Sequence, residues 1–472
     1  MFSTVEIPLW LLILILLFAA VTALSHFLLP SVRWFFRRRM ERVVTRLNKR
    51  LERPIQPFKL ARRHDMIQRL IYDAQVIEAA GAWAKAKGVP ENVGFETARR
   101  YAREIVPRFS ATAYFGFAIR LARLIAQSFY KVRTSSADED ALSGIDPDAT
   151  VIFVMNHRSN MDYVLVTYLA AERSALSYAV GEWARIWPLT SLIKAMGAYF
   201  IRRKNSNDLY RTVLERYVQL ATKGGVTQAV FPEGKLSLTG HTAPAKLGIL
   251  NYIIKDFDPQ ASGDVVFVPV SLNYDRVLED RFLLEATQSG RHAFRFRLVG
   301  ILGFIFRQIK LMFQRRFHRF GDAAVHFGRP MSLRNFPLNT KDSATKQVGR
   351  ELMKRISTGI PALSVPTICY VMACSSGSMG REEIKLALID LVPLLRTKGV
   401  PFHAPDNDLD EAMRIGLRIL TLRRMFKEKD GQYSIEPEER ELVQYYANSI
   451  AESVGNLSEI KSRVENAATA RS

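Results

Sequence analysis

An α/β fold, a mostly parallel sheet flanked by helices, is predicted by three observations in residues 150–272. Apolar runs of strand length alternate with amphipathic segments of helix length, the pattern of parallel strands joined by crossover helices. The runs are apolar almost throughout, as expected of strands buried on both faces. Each cluster of chemically suggestive residues lies at or just beyond the end of such a run, where open α/β sheets hold their ligands.

The elements follow in order. Val151–Met155 predicts the first strand and runs through a polar turn into an apolar helix, Tyr163–Ala171. Leu176–Val180 predicts a second strand, Ile186–Met196 a helix and Ala198–Ile201 a third strand. The amphipathic helix Asp208–Thr222, the strand Val226–Phe231, a loop, the helix Leu247–Ile254 and the strand Val265–Leu272 complete the series. Pro269 lies within the last strand and cannot donate to a ladder, which predicts a place at a sheet edge or bulge bordering the site.

Helical regions are expected on both sides of this α/β domain, which is assigned to residues 136–335. Ile7–Leu29 contains no Asp, Glu, Lys or Arg and is long enough to cross a hydrocarbon layer of ~30 Å. Arg33, Arg37, Arg38, Arg39 and Arg42 follow it. The positive-inside rule then predicts a transmembrane anchor over residues 1–32, with the rest of the chain on the cytoplasmic face of the inner membrane. Residues 33–135 are expected to be helical, with Leu60, Ile67, Leu70, Ile71, Ala74 and Ile77 at helical spacing and a polar break at Ser135–Asp140. Residues 336–472 are expected to form a C-terminal helical domain. Between them, Phe294–Phe320 reads either as a basic segment lying on a lipid surface or as part of the core.

A formal charge of +21, from 67 Lys and Arg against 46 Asp and Glu, calls for an anionic partner. Nucleic acid is set aside, because the basic residues are not interleaved with aromatic stacking positions or any recognisable nucleic-acid module. Cys369 and Cys374 match neither a zinc pair nor a redox pair and are expected as reduced thiols. His157 and Asp162 lack further His or Cys at ligand spacing, so no metal is assigned.

The chemistry is expected at four clusters. His157 stands at the end of the first strand, and Asp162 opens the following helix. A turn of that length can fold the carboxylate against the imidazole, giving a base with an orienting anion. The plainer alternative is a hydrogen-bonded histidine beside a helix-capping aspartate. Arg202 and Arg203, at the next strand end, offer planar forks for phosphate oxygens, or else form a solvated tail. In Phe231-Pro232-Glu233-Gly234-Lys235-Leu236-Ser237 the Pro and Gly force a sharp loop. Glu233 beside an apolar strand needs a partner, such as Arg or Lys groups, unless it is a surface acid. Val268–Ser271 is the fourth cluster.

In this order and at these separations, the clusters resemble the glycerolipid acyltransferase superfamily, whose first motif is His, four residues, then Asp. H-R-S-x-M-D-Y at His157–Tyr163, G-A-x-F-I-R-R at Gly197–Arg203 and the Pro-Lys-x-Gly-like turn at Ala245–Gly248 are similar to the bacterial glycerol-3-phosphate acyltransferase branch. Leu442–Asn448 carries a weaker similarity. One departure is clear: residues 233–238 read Glu-Gly-Lys-Leu-Ser-Leu, with Leu236 and Leu238 where that family has arginines. Lys235 or His241 would supply a point charge in place of a fork.

The resemblance implies a membrane-bound O-acyltransferase that moves an acyl chain from acyl-CoA or acyl carrier protein to glycerol-3-phosphate, the first step of phospholipid synthesis, among membrane lipids and without a cofactor. His157 would be the base, held by Asp162. Arg158, Ser159, Arg202, Arg203, Glu233, Gly234, Lys235 and Lys246 would surround the substrates, and backbone amides near Gly234 are candidates for the oxyanion. Two readings stay beside it: a 1-acylglycerol-3-phosphate acceptor giving phosphatidate, and a non-catalytic, membrane-tethered basic binding protein.

Overall fold

The computed structural model describes residues 8–17, parts of 38–58, 63–170, 175–181, 189–202, 206–260, 263–289, 319–337, 342–375, 377–404 and 408–454. The strands of the main sheet, in chain order, are β1 (Lys131–Ser136), β2 (Thr150–Met155), β3 (Ser177–Gly181), β4 (Tyr199–Ile201), β5 (Gln228–Val230), β6 (Val265–Tyr274), β7 (Asp322–Phe327) and β8 (Met331–Ser332). Their spatial order is β1-β7-β6-β2-β5-β3-β4, with β8 also on β6. The five strands β6-β2-β5-β3-β4 are parallel, as expected. β7 and β8 run antiparallel to β6, and β1 lies parallel to β7.

Side chains along β2 alternate between two cores. Val151, Phe153 and Met155 pack on one face with helices Ile119–Phe129 and Met161–Ala170 and the C-terminal helices Ser364–Cys374 and Arg440–Val454. Ile152 and Val154 pack on the other with helices Arg63–Ile71, Glu91–Ile105, Asp208–Lys223 and Ala344–Thr358. Burial on both faces explains why these strands read as unbroken apolar runs.

Residues 131–136 depart from the expected helical region. They form β1, an outer strand whose residues Lys-Val-Arg-Thr-Ser-Ser are exposed or half-buried and so leave no apolar signature. Pro269 is interior rather than at an edge. On one side it faces Val154 of β2. On the other it falls between the end of the β8 pairing at Phe267 and the start of the β7 pairing at Val270, so its missing N–H leaves no ladder position empty. Its carbonyl accepts the Gly328 N–H at 2.8 Å.

By contacts, Met1–Ile55 with Glu172–Ser174 form one unit and the remaining residues another. In the first, residues 9–17 are helical, with Leu9, Trp10 and Leu12 to Leu17 exposed. Among the described residues no helix is long and apolar enough to cross a membrane. Of the expected span 7–29, only residues 8–17 are among those described, and 294–318 lie outside them as well. In the second unit, Cys369 and Cys374 are buried on one C-terminal helix and are not joined in a disulfide.

Candidate active site

β2 is a central strand flanked by β5 and β6, and the chain leaves β2 toward β3 on one side and later returns to β6 on the other. A crevice at the carboxyl ends of such strands is where the topology places a ligand. Asn156–Asn160 turns there into the helix Met161–Ala170. Asn156 pins the turn to β6 twice, its amide donating to the Leu272 carbonyl at 2.9 Å and accepting the Leu272 N–H at 2.8 Å.

The turn brings the first two expected residues together. His157 Nδ1 lies 2.9 Å from Asp162 Oδ2, with the imidazole 3% exposed and Asp162 fully buried. The same oxygen accepts the N–H groups of Arg158 (2.7 Å) and Ser159 (3.0 Å), while Oδ1 accepts the Tyr274 hydroxyl at 2.5 Å. Asp162 is thus an acceptor on both oxygens, and Nδ1 carries the proton and donates it to Oδ2. Burial and the Asp162 charge hold the Tyr274 hydroxyl well above the usual tyrosine range, so it remains a donor. The Phe231 ring lies on the imidazole at 4.3 Å between centroids, and Tyr163 meets it edge-on at 5.5 Å.

The Phe231–Leu247 loop is tied to the same turn. Glu233 Oε1 accepts the His157 N–H and Oε2 the Ala243 N–H, both at 2.9 Å, and the Ser237 N–H donates to the His157 carbonyl at 2.9 Å. Glu233 therefore organises the site through backbone donors. Burial raises its carboxyl, and those two hydrogen bonds oppose the shift. Gly234, at φ +68°, closes the sharp turn, and a Cβ there would stand 2.9 Å from Lys246 Cδ. The Gly234 N–H, a candidate for the oxyanion, donates instead to the Phe231 carbonyl at 3.0 Å. Lys235 and Lys246 are exposed on this loop. Leu236 and Leu238 pack against the apolar core, which explains how leucine replaces arginine there.

Arg158 and Ser159 are buried residues of the turn itself. Arg158 is 2% exposed and donates to the Ser449 carbonyl of the C-terminal helix at 3.2 Å; Ser159 Oγ donates to Glu279 at 2.8 Å. Arg202 belongs to the other core face. Its fork is taken by Glu104 (2.8 and 2.6 Å) between the rings of Tyr101 and Tyr210, an arrangement that holds the guanidinium above its ordinary pKa. The structure does not bring it to His157. Arg203 lies outside the described residues.

Sequence reasoning missed Tyr274, Glu279 and Ser449. They reach the turn from 112 to 291 residues away, with nothing local to mark them. It also missed an apolar cavity of about 250 Å³ that begins at Asn160 and Tyr163 and runs between Leu121, Ile125, Tyr178 and Met196.

The C-terminal helix also reaches the Phe231–Leu247 loop, where Asn448 donates to the Thr239 carbonyl at 2.8 Å. Gly240 has φ +86°, and a Cβ there would fall 2.0 Å from the Tyr445 carbonyl oxygen. Gly240→Ala is therefore expected to lower stability by about 1–3 kcal/mol from backbone strain alone. The shift would appear in the thermal unfolding midpoint, and an unchanged midpoint would show that the loop does not rest on this helix.

Comparison with known proteins bears on the whole arrangement. Residues 137–273 match the Acyltransferase family model, and residues 305–454 match the model for the glycerol-3-phosphate acyltransferase C-terminal region. Three relatives bear the name glycerol-3-phosphate acyltransferase. That of Alteromonas mediterranea is 27% identical over 64% of this chain and 38% of its own length. That of Aeromonas hydrophila is 27% identical over 83% and 50%, and that of Pseudomonas putida 28% over 59% and 32%. The chain thus spans half or less of the relatives it matches. A 1-acyl-sn-glycerophosphate acyltransferase structure from Thermotoga maritima matches at 20% identity over 51% of this chain and 76% of its own, with a TM-score of 0.33. The two matches fall on different parts of the site: the Acyltransferase model covers the His157 turn, and the glycerol-3-phosphate acyltransferase C-terminal model covers the helices that brace it, so the chain is similar to glycerol-3-phosphate acyltransferases in both.

Proposed function

We propose that the protein is a membrane-bound O-acyltransferase that moves an acyl chain from a thioester donor, acyl-CoA or acyl carrier protein, to glycerol-3-phosphate. The observation that carries this reading is the juxtaposition of a His157–Asp162 pair with an apolar cavity lined by Asn160, at the end of the same turn, and by Tyr163, in the helix that follows it. A buried imidazole bound to a carboxylate through Nδ1 leaves Nε2 as the proton acceptor. The cavity wall is almost wholly apolar, which suits an acyl chain.

In this reading Nε2 takes the proton of the acceptor hydroxyl as that oxygen attacks the thioester carbonyl. The imidazolium is stabilised by Asp162. The carbon–sulfur bond breaks as the tetrahedral intermediate collapses, and the proton passes to the leaving thiolate, giving an ester and a free thiol. Direct attack needs no acyl-enzyme, because the pair contains no nucleophilic hydroxyl or thiol.

The acceptor phosphate is assigned to Lys246 and Lys235, both exposed on the Glu233 loop, and, from the resemblance, to Arg203; Arg202 is excluded because Glu104 takes its fork. Lys246→Ala is expected to raise KM for glycerol-3-phosphate roughly tenfold, the loss of one hydrogen bond to a charged group, with kcat within about threefold. Steady-state kinetics with varied acceptor check this, and an unmoved KM removes Lys246 from the phosphate site. A cytoplasmic membrane location through Ile7–Leu29 belongs to the same proposal, supported by that apolar run and the arginines after it.

The test is the full chain given a labelled long-chain acyl thioester with glycerol-3-phosphate, with its 1-acyl derivative, or with glycerol. Label in a lipid product from glycerol-3-phosphate is the expected result. Label only from the 1-acyl derivative would reassign the acceptor, and no transfer to any of the three would overturn the reading.

A further inference from the structure

Two adjacent carboxylates outside the four sequence clusters are buried beside the His157 turn. Glu279, 2% exposed, accepts the Ser159 hydroxyl on Oε2 at 2.8 Å and the Asn160 N–H on Oε1 at 2.6 Å. Ser159 Oγ in turn accepts the Met161 N–H at 3.1 Å. This carboxylate thus holds Ser159 and Asn160, two of the three residues between His157 and the helix that carries Asp162.

Asp280, 4% exposed, is engaged from the C-terminal region. Its Oδ2 accepts from the Arg423 guanidinium and from the Tyr446 hydroxyl at 2.5 Å. The Tyr446 oxygen accepts the Val277 N–H at 2.9 Å and Arg423 Nη1 at 3.0 Å. Residues 277–280 therefore form a short bridge, with one carboxylate on the turn and the next clamped by helices 409–422 and 440–454.

We propose that Glu279 is a positioning residue for acyl transfer: it sets the Ser159–Asn160 turn so that Asp162 meets His157, and the C-terminal helices hold it in place through Asp280, Arg423 and Tyr446. The inference rests on the reading of His157 as the base. It gives the C-terminal helices a part in the chemistry through residues 277–280.

The electrostatics offer a way to separate this role from plain support. Burial and the Asp162 charge raise the Glu279 carboxyl to about 7, against the pull of its two hydrogen bonds. The groups that couple to it electrostatically are Asp162, Tyr130, Tyr274 and Tyr445. An acid whose folded value lies above its unfolded one contributes stability at low pH that is lost as pH rises through about 7. The ionised form, which accepts both hydrogen bonds, is the one that fixes the turn. Stability and positioning therefore favour opposite protonation states.

Glu279→Gln is the test. The amide oxygen keeps the Asn160 bond, but the NH2 group can only donate to the Ser159 hydroxyl, so the charge-assisted bond that fixes the turn is replaced by a weaker, reversed one that turns the hydroxyl proton away. The expected result in the full chain is a kcat lower by about tenfold to a hundredfold, as a displaced base produces, with KM for both substrates near normal. The unfolding midpoint at pH 8 should be unchanged or higher. Tyr446→Phe, which leaves the turn untouched, should lower kcat severalfold in the wild-type chain and add nothing in a chain that already carries Glu279→Gln, because both act through one bridge. A kcat within twofold of wild type, or a loss of kcat that follows a fall in the unfolding midpoint, overturns the proposal. So do fully additive effects of the two substitutions. If His157→Ala retains activity the underlying assignment fails; if it is inactive while Glu279→Gln is not, only the present inference does.

Discussion

His157→Ala loses acyl transfer by about 10²–10⁴-fold, the range general base catalysis supplies, while the protein remains folded. Stability should fall by only about 1–2 kcal/mol, because the imidazole is the only one of the four donors to Asp162 that disappears. The Arg158 and Ser159 N–H groups and the Tyr274 hydroxyl still satisfy the carboxylate. The Glu233 contact survives too, since it is made to the backbone N–H of residue 157. The space left against Phe231 is the size of an imidazole, so added imidazole is expected to restore part of the turnover. Activity and unfolding are measured on the same preparation. Near-normal turnover in a folded variant would sink the base assignment, and with it the acyl transfer mechanism.

How much of this was legible beforehand follows from where the information lay along the chain. β2, β3 and β6 are buried on both faces and so carried an apolar signature of their own, and residues 157–163 form one local turn. β1 carried none, because an outer strand with half-exposed polar side chains has no periodicity to read. The parallel core was therefore predicted, while the β1–β7 pair that extends it was not. Pro269 misled because its tolerance depends on a gap between two partner strands that only the tertiary structure creates.

The site divides in the same way. Spacing announces the His157–Asp162 contact, but the partner of Arg202 does not follow from spacing, since Glu104 comes from a helix 98 residues earlier. An arginine at a strand end reads identically whether it awaits a phosphate or already holds a carboxylate. Leu236 and Leu238 looked like losses from a charged pocket; in the fold they are packing residues, and the cations of that loop are Lys235 and Lys246. Glu279 was unreadable for the opposite reason, since a buried acid in Val-Leu-Glu-Asp resembles the start of any helix.

The second large effect is expected for Asp162→Asn, with kcat lower by about 10³–10⁴-fold and stability lower by about 1–3 kcal/mol. Asparagine has the same shape and one acceptor oxygen. With that oxygen in the Oδ2 position, the His157, Arg158 and Ser159 donors are kept, and the NH2 group meets the Tyr274 hydroxyl, which can rotate to accept. The turn then holds its shape, but the imidazolium formed during proton transfer has lost its counter-charge. In the flipped orientation the NH2 group faces Nδ1, which favours the tautomer with its proton on Nε2 and removes the base altogether. Both orientations cost rate far more than structure, so the two measurements should diverge. Asp162→Ala, by contrast, strands the N–H groups of Arg158 and Ser159 in a buried turn and should lower the unfolding midpoint well below that of the asparagine variant. If Asp162→Asn kept a tenth or more of the wild-type kcat, Asp162 would serve only to hold the turn, since accepting the Arg158 and Ser159 N–H groups needs an oxygen and orienting a base as an anion needs the charge.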